Sequence, residues 1–574
     1  MGGKTTTVSA GVSVRMQDRS SELIGIANRN NNSDGVGSAR SVNDDDGNLA
    51  YDKGDVFAAP LKATHDLSLR YGNAGLFSRA SYFYDFENKD ADNLGEQGQK
   101  RLGGEFKMLD LFAYGSFNVL GQRVSTRLGS QVVSWGESTF IPNSINSINP
   151  VDVSRLRGPG SELKEALLPV PMLWVSLPLA DSLSMEAVWL FDWKKTEIDP
   201  NGAFFSTTDV LSDDGQKVFA GFGRRFDDNS PPTGLGTNPG EAQLWGERIA
   251  NREPKQDHQQ YGVSFRYFSE AANSTEFGLY YLRYHSRTPI ASGVRAGAPG
   301  PANPLGLFSY SNPAGGSAFY FADYPEDINL YGLSFNTSLP FGVALQGEYS
   351  YRPNQPIQIE DVEVLLAALG LPNKSGVPAT TAAGEIIDGF KRVKMHQSQF
   401  TATKAFGPNL GADQFVMLLD TGATWLDLPR DILFNGPGTY LPAVQASANA
   451  VASGSVQPGG YANRFSWGYR LVSALTYENA IGSASLSPRI VWSHDVNGVG
   501  PTFNQDAQAI TGGLGFNYLQ RWQADLSYTA FTGGRTYSGT DPNAVPAGQS
   551  PDFASSANPL KDRDFLSFNV SYAF

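Results

Sequence analysis

The last nine residues constrain the fold more than any other part of the chain. Leu566, Phe568, Val570, Tyr572 and Phe574 form one face, and Ser567, Asn569, Ser571 and Ala573 form the other. A period of two is the signature of a β-strand. A soluble strand carries such alternation for about five or six residues. Here it runs to the terminal carboxylate and ends on an aromatic ring, which no soluble core requires. The same pattern recurs along the chain. Val8, Ala10, Val12 and Val14 alternate with small or polar residues, as do Tyr261, Val263, Phe265 and Tyr267. Val343 to Arg352 and Arg464 to Tyr477 repeat it over longer stretches. Segments of about ten residues with one apolar and one polar face suit a membrane barrel, with lipid outside and water inside. Only a closed sheet leaves no backbone group unpaired in lipid, so open-edged sheets are excluded.

The connections fall into two alternating kinds. Tight ones are expected near Gly72–Gly75, Leu120–Gln122, Leu179–Asp181, Ala271–Asn273, Pro340–Phe341, Pro408–Gly411, Asn479–Ile481 and Leu519–Arg521. Between them lie nine long connections. Short periplasmic turns and long external loops are the asymmetry of such barrels. Eight short and nine long connections predict an antiparallel transmembrane β-barrel of eighteen strands, sixteen being the alternative. An even number places both termini on the periplasmic side. One barrel is expected over residues 4–574, with no soluble domain and no N-terminal plug. The first residues lack an apolar stretch of signal-peptide type and read as a processed start. Strand faces are ambiguous over Lys100–Val119, Glu276–Ser286 and Lys391–Phe406, where bulges are expected to reset the alternation. Asn28–Asn48, Pro231–Gly240 and Gly297–Gly316 are rich in Gly, Pro, Asn and Ser and read as loops.

Composition removes several functional classes. The 44 Lys and Arg stand against 57 Asp and Glu, a net charge of −13, which argues against a nucleic-acid partner. No run of about 18 apolar residues is present, so membrane-spanning helices are not expected. The chain has no cysteine, hence no disulfide, thiolate metal site or Cys nucleophile. Ser493-His494-Asp495 holds the residue types of a hydrolase, but neighbours on a strand point to opposite faces and cannot form a relay. Neither an enzyme, a metal nor a cofactor is expected. The acidic groups Asp44–Asp46, Asp213–Asp214 and Asp227–Asp228 lack calcium-loop spacing and read as solvated loop.

The third long connection, residues 136–169, is the most informative. It contains Trp135-Gly-Glu-Ser, Asn149-Pro-Val-Asp and Pro159-Gly-Ser-Glu-Leu-Lys-Glu-Ala, then Leu168-Pro-Val-Pro-Met. Ser161 is placed to cap a short helix with Glu162 in its first turn. A Pro- and Gly-rich loop with one short helix suits a segment folded in or over the lumen, by positional analogy with general porins. Its candidate pore residues are Glu137, Asn149, Asp152, Arg155, Arg157 and Lys164, together with Arg123 and Arg127 on the neighbouring wall.

These motifs resemble the bacterial outer-membrane proteins of the domain-of-unknown-function family 1302. The resemblance implies an outer-membrane barrel bounded by lipid and lipopolysaccharide, often encoded beside a periplasmic lipoprotein and a large inner-membrane transporter. The terminal face of Leu566, Phe568, Val570, Tyr572 and Phe574 likewise resembles the signal read by the barrel assembly machinery. Two functions are expected from this reading. The first is a channel for small or amphipathic, including hydrophobic, molecules that works with those partners. The alternative is a sealed barrel that docks the lipoprotein.

Overall fold

In a computed structural model the chain forms a closed antiparallel barrel of 18 strands. The structure describes residues 2–26, 28, 37–119, 121–219, 223, 245–255, 259–296, 319–369, 373–378, 380–437, 459–540 and 552–574. The Pro231–Gly240 and Gly297–Gly316 loops and the Asp227–Asp228 pair lie outside these residues. The strands are β1 Gly2–Arg15, β2 Pro60–Tyr71, β3 Ala74–Asp85, β4 Gly104–Val119, β5 Gln122–Gln131 and β6 Val170–Ala180. Next come β7 Leu183–Leu190, β8 Gln260–Ser269, β9 Thr275–Tyr284, β10 Ile328–Leu339, β11 Val343–Gln358 and β12 Phe390–Asn409. The last six are β13 Ala412–Leu426, β14 Phe465–Ile481, β15 Ala484–Asn497, β16 Ala507–Tyr518, β17 Trp522–Gly533 and β18 Phe565–Ala573. Each pairs with the next. The seam closes where Thr7–Arg15 of β1 meets Phe565–Ala573 of β18.

The outer surface follows from the alternation. Leu61, Leu67, Leu69, Leu76, Tyr82 and Leu128 are exposed on the strands, as are Leu279, Leu333, Ile490 and Phe568. Leaving so many apolar side chains in water is unfavourable by about 25 cal/mol per Å². Lipid removes that cost. The alternate positions carry charge in pairs: Asp66 with Arg79 at 2.8 Å, Arg470 with Asp495 at 2.7 Å and Arg489 with Asp525 at 2.6 Å.

Two sequence expectations need correction here. Lys100 to Gly103 are not strand; they end the helix Glu96–Gly103, and β4 begins at Gly104. The helix N-terminus is held by Asp214, whose carboxylate accepts from the Gln97 and Gly98 amides, as expected at a positive helix end. Beyond it, the register against β3 jumps between Ser78 and Ala80, so Leu109 and Asp110 oppose the single residue Arg79. That bulge explains why the faces of this strand cannot be read by parity. The second correction concerns Asp45, which is buried rather than solvated. Its carboxylate accepts from the Gly25 amide and the Asn28 side chain, and so organises the first external loop.

The short connections are tight turns. Gly72 and Gly482 take left-handed backbone conformations (φ 60° and 62°) that a residue with a Cβ adopts at a cost. The long connections build a second structure over the other end of the barrel. It contains a small sheet (Lys217–Phe219, Trp245–Arg248, Ile290–Val294, Phe319–Asp323 and Ile386–Ile387) and the helix Asp361–Leu369.

Candidate functional site

Residues 132–169, between β5 and β6, are held by side chains from the polar faces of strands all round the barrel. The segment leaves β5 through a buried Trp135, whose indole donates to Glu186 of β7 at 3.0 Å. Trp174 of β6 donates to the same oxygen at 3.2 Å. Trp135, Ile145 and Ile148 pack against Val188, Leu190, Tyr280 and Leu282 in an apolar cluster on this wall.

Next, the backbone turns on two carboxylates. Glu348 of β11 accepts from the amides of Glu137 (2.5 Å), Ser138 (3.0 Å) and Ile145 (3.2 Å). Asp420 of β13 accepts from those of Phe140 (2.9 Å) and Ile141 (3.2 Å), with Thr401 of β12 on its other oxygen. Both carboxylates are buried, and among the described residues neither forms a salt bridge, although Arg470 stands opposite Asp420 on the next strand. Their charge is balanced by oriented N–H groups, a strong class of hydrogen bond.

Carbonyl groups of the same stretch are gripped by donors. Arg352 of β11 reaches Asn143 O (2.9 Å) and Ser144 O (2.6 Å), and Gln397 of β12 reaches Pro142 O (2.7 Å). Asn149 then closes the segment's base. It accepts from the Val133 amide and donates to Gln131 O and Leu168 O, stitching both ends of the segment together.

The second half is tied to different strands. Asp152 pairs with Lys107 of β4 at 3.2 Å and lies 3.6 Å from Arg101 and 3.7 Å from Arg155. Burial opposes its ionisation, yet these cations hold its carboxyl below the ordinary aspartate range. Arg155 also lies over the Phe83 ring at 3.9 Å and approaches Glu105. Arg157 pairs with Asp199 at 3.3 Å, and Lys164 with Glu162 at 2.7 Å. Glu165 accepts from Lys62 (2.5 Å) and Thr64 (2.6 Å), both of β2. At the seam, Gly11 of β1 lies so near Pro159 that a Cβ there would stand 2.7 Å from the proline.

The structure therefore brings Glu137, Asn149, Asp152, Arg155, Arg157 and Lys164 into one segment of dense polar contacts. Arg127 stands on the adjoining wall, its guanidinium 4.1 Å from the Trp174 ring. Arg123 is separate. It is exposed near the β4–β5 turn and makes no ion pair or side-chain hydrogen bond among the described residues. Ser161 is not the helix cap: its hydroxyl donates to Gly158 O at 2.5 Å, and Glu162 precedes the single turn Leu163–Ala166. The hydroxyl is spent closing the Gly158–Ser161 turn, so it cannot serve the helix. Burial pushes the Glu137 carboxyl up, against the nearby Arg266.

Asp420 is one of the anchors that sequence reasoning missed, with Lys62, Thr64, Lys107 and Gln397. Its only signal is one acid within the apolar run Phe415–Leu426.

The chain belongs to the family described as protein of unknown function DUF1302, whose model matches residues 2–574. No curated protein matches it. Among solved structures it is similar to OccAB1 of Acinetobacter baumannii, with 9% identity and a TM-score of 0.42, covering 100% of this chain and 96% of that one. It is also similar to OccK2 (OpdF) of Pseudomonas aeruginosa in complex with glucuronate, at 9% identity and TM-score 0.39, covering 100% and 98%. The Acinetobacter baumannii outer-membrane channel DcaP gives 7% identity and TM-score 0.35, covering 100% and 97%.

Proposed function

We propose that this barrel is a bacterial outer-membrane channel for small or amphipathic molecules, constricted by residues 136–169 folded across its lumen. The observation that carries the proposal is the anchoring of one segment to opposed walls. Glu348, Arg352, Gln397 and Asp420 hold its first half from β11–β13, while Lys62, Thr64 and Lys107 hold its second half from β2 and β4. An external loop needs no such partners. A barrel of about eighteen strands is also too wide for wall side chains alone to fill, so a folded segment is what narrows it. The exposed apolar belt supports a membrane location, and the terminal alternating strand supports delivery by the barrel assembly machinery.

The wall near the segment carries both signs of charge, with Arg127 close to Glu186 and Asp110. A mixed wall of this kind orients polar solutes and tunes ion preference. Cooperation with a periplasmic lipoprotein and an inner-membrane transporter is part of the proposal, resting on the family resemblance. Single-channel recording in planar bilayers tests the central claim: the folded barrel should carry discrete current steps. A folded barrel that is silent at every voltage overturns it and leaves the docking role.

A further inference from the structure

Above the anchored segment, the external loops and strand ends enclose a cavity of about 780 Å³. That lies within the range of about 300–1,000 Å³ usual for small-molecule sites. One side is apolar, formed by Ile290, Ile357, Val364, Leu365, Ala368 and Met395. Most of these belong to or pack against the helix Asp361–Leu369, so the surface is fixed by a core cluster.

Three arginines, Arg40, Arg287 and Arg352, line the same cavity. Arg352 spends its donors on Tyr284 and on the anchored segment. Arg287, just beyond β9, is 7% exposed; it donates to Lys194 O at 3.1 Å and to Gln260 at 3.4 Å. Its buried Nε has no acceptor among the described residues. Neither Arg287 nor Arg352 forms an ion pair among the described residues. Burial lowers the Arg287 pKa to about 10, which still leaves it charged at neutral pH. An unneutralised buried guanidinium with an unused N–H is costly unless an anion completes it.

We infer that this cavity binds an organic monoanion, a carboxylate head on the Arg287 guanidinium with an apolar body against the Asp361–Leu369 helix. The inference names the solute class of the proposed channel and rests on that reading for why such a solute is present. Three carboxylates, Glu22, Asp44 and Asp361, also line the cavity, and Glu22 is already paired with Lys561. Neither Asp44 nor Asp361 pairs with Arg287, and burial, with repulsion from Asp361 and Asp46, lifts Asp44 to about 7. They oppose a second negative charge, which restricts the ligand to one. A cationic head drawn to this acidic pair is the competing outcome.

The experiment compares three probes that share one body: 4-phenylbutyrate, 4-phenylbutan-1-ol and 4-phenylbutylamine. Each is titrated calorimetrically into the full-length barrel in lipid nanodiscs, with empty nanodiscs subtracted. A hydrogen bond to a buried charge corresponds to at least about a tenfold gain, so the acid should bind about tenfold or more tighter than the alcohol, and the amine weakest. Arg287→Gln should bring the acid to the alcohol's affinity while leaving the alcohol unchanged. Arg287→Lys should retain part of the preference, and Leu365→Trp should weaken acid and alcohol together. Equal binding of acid and alcohol, tighter binding of the amine, no binding at all, or an acid preference that survives Arg287→Gln in a folded barrel each overturns the inference. Conductance separates this result from the channel proposal. Current without acid-selective binding rejects the cavity and keeps the channel, whereas acid-selective binding to a silent barrel does the reverse.

Discussion

Glu348 offers the sharpest test of the anchored segment. Its two oxygens accept from the amides of Glu137, Ser138 and Ile145, at 2.5, 3.0 and 3.2 Å. Glu348→Ala leaves three N–H groups without an acceptor in a site that water reaches poorly. Each unsatisfied buried donor costs about 1–3 kcal/mol, so the docked segment should lose about 3–6 kcal/mol once partial rehydration is allowed. At 1.4 kcal/mol per factor of ten, the undocked population rises by about two to four orders of magnitude. In single-channel records this should appear as frequent excursions to a larger conductance, which the parent shows seldom or never. Glu348→Gln keeps one acceptor oxygen and should fall between the two. Arg489→Gln with Asp525→Asn removes an ion pair at 2.6 Å that does not touch the segment, and should leave the gating record unchanged. A Glu348→Ala barrel that is heat-modifiable, hence folded, yet records like the parent would refute the argument that these three amides restrain the segment.

Other outcomes follow from the same geometry. Shortening the segment between Asn143 and Ala166 should raise conductance severalfold in a folded barrel, and an unchanged conductance would place the segment outside the passage. Changing Arg123 and Arg127 to Gln should move reversal potentials away from anion preference with little change in conductance; the Arg127 change should account for most of it, because Arg123 is remote from the segment. Phe574, 64% exposed and stacked on Tyr572 at 5.8 Å, makes backbone bonds with Thr6 that any residue can make. Phe574→Asp should therefore strand the chain in the periplasm without an intrinsic folding defect, and a normal amount of heat-modifiable barrel in outer-membrane fractions would sink the assembly-signal reading. Asp44 has a folded pKa raised to about 7, above its unfolded value, so its contribution to stability is present at low pH and is lost as pH rises through 7. Asp44→Asn should remove that loss, seen as slower hydrogen exchange of residues 41–49 at pH 8 after correction for the intrinsic rate.

The barrel was legible because lipid and water impose a local rule. Every strand obeys it independently, so errors at Lys100 or at one turn do not spread. The anchors were not legible, because they are not local. Glu137 and Glu348 are 211 positions apart, and Phe140 and Asp420 are 280 apart. Glu348 occupies a polar face where any charge is permitted, so its partners are decided by closure of the whole cylinder. The motifs around Trp135, Asn149 and Pro159 singled out the segment, at whose base Asn149 satisfies three backbone groups. The same motifs could not say which wall receives each half. The cavity above was invisible for the same reason: Arg287 lies in an ordinary loop sequence, and only burial makes it unusual.

The contact of Pro159 with Gly11 has a consequence for how the molecule is put together. Gly11 belongs to the first strand, and Gly160 lies beside Asn569 of the last. These two strands are the neighbours in the cylinder that are not consecutive in the chain, so they find each other late and across almost the whole chain. The segment touches both. It can act as a temporary floor on which the two free edges are set side by side before they zip, and a cylinder that closed first would have to admit the segment through its mouth afterwards. An alanine at position 11 therefore perturbs the order of events, not only the fit: the floor is lifted from one edge at the moment the other arrives.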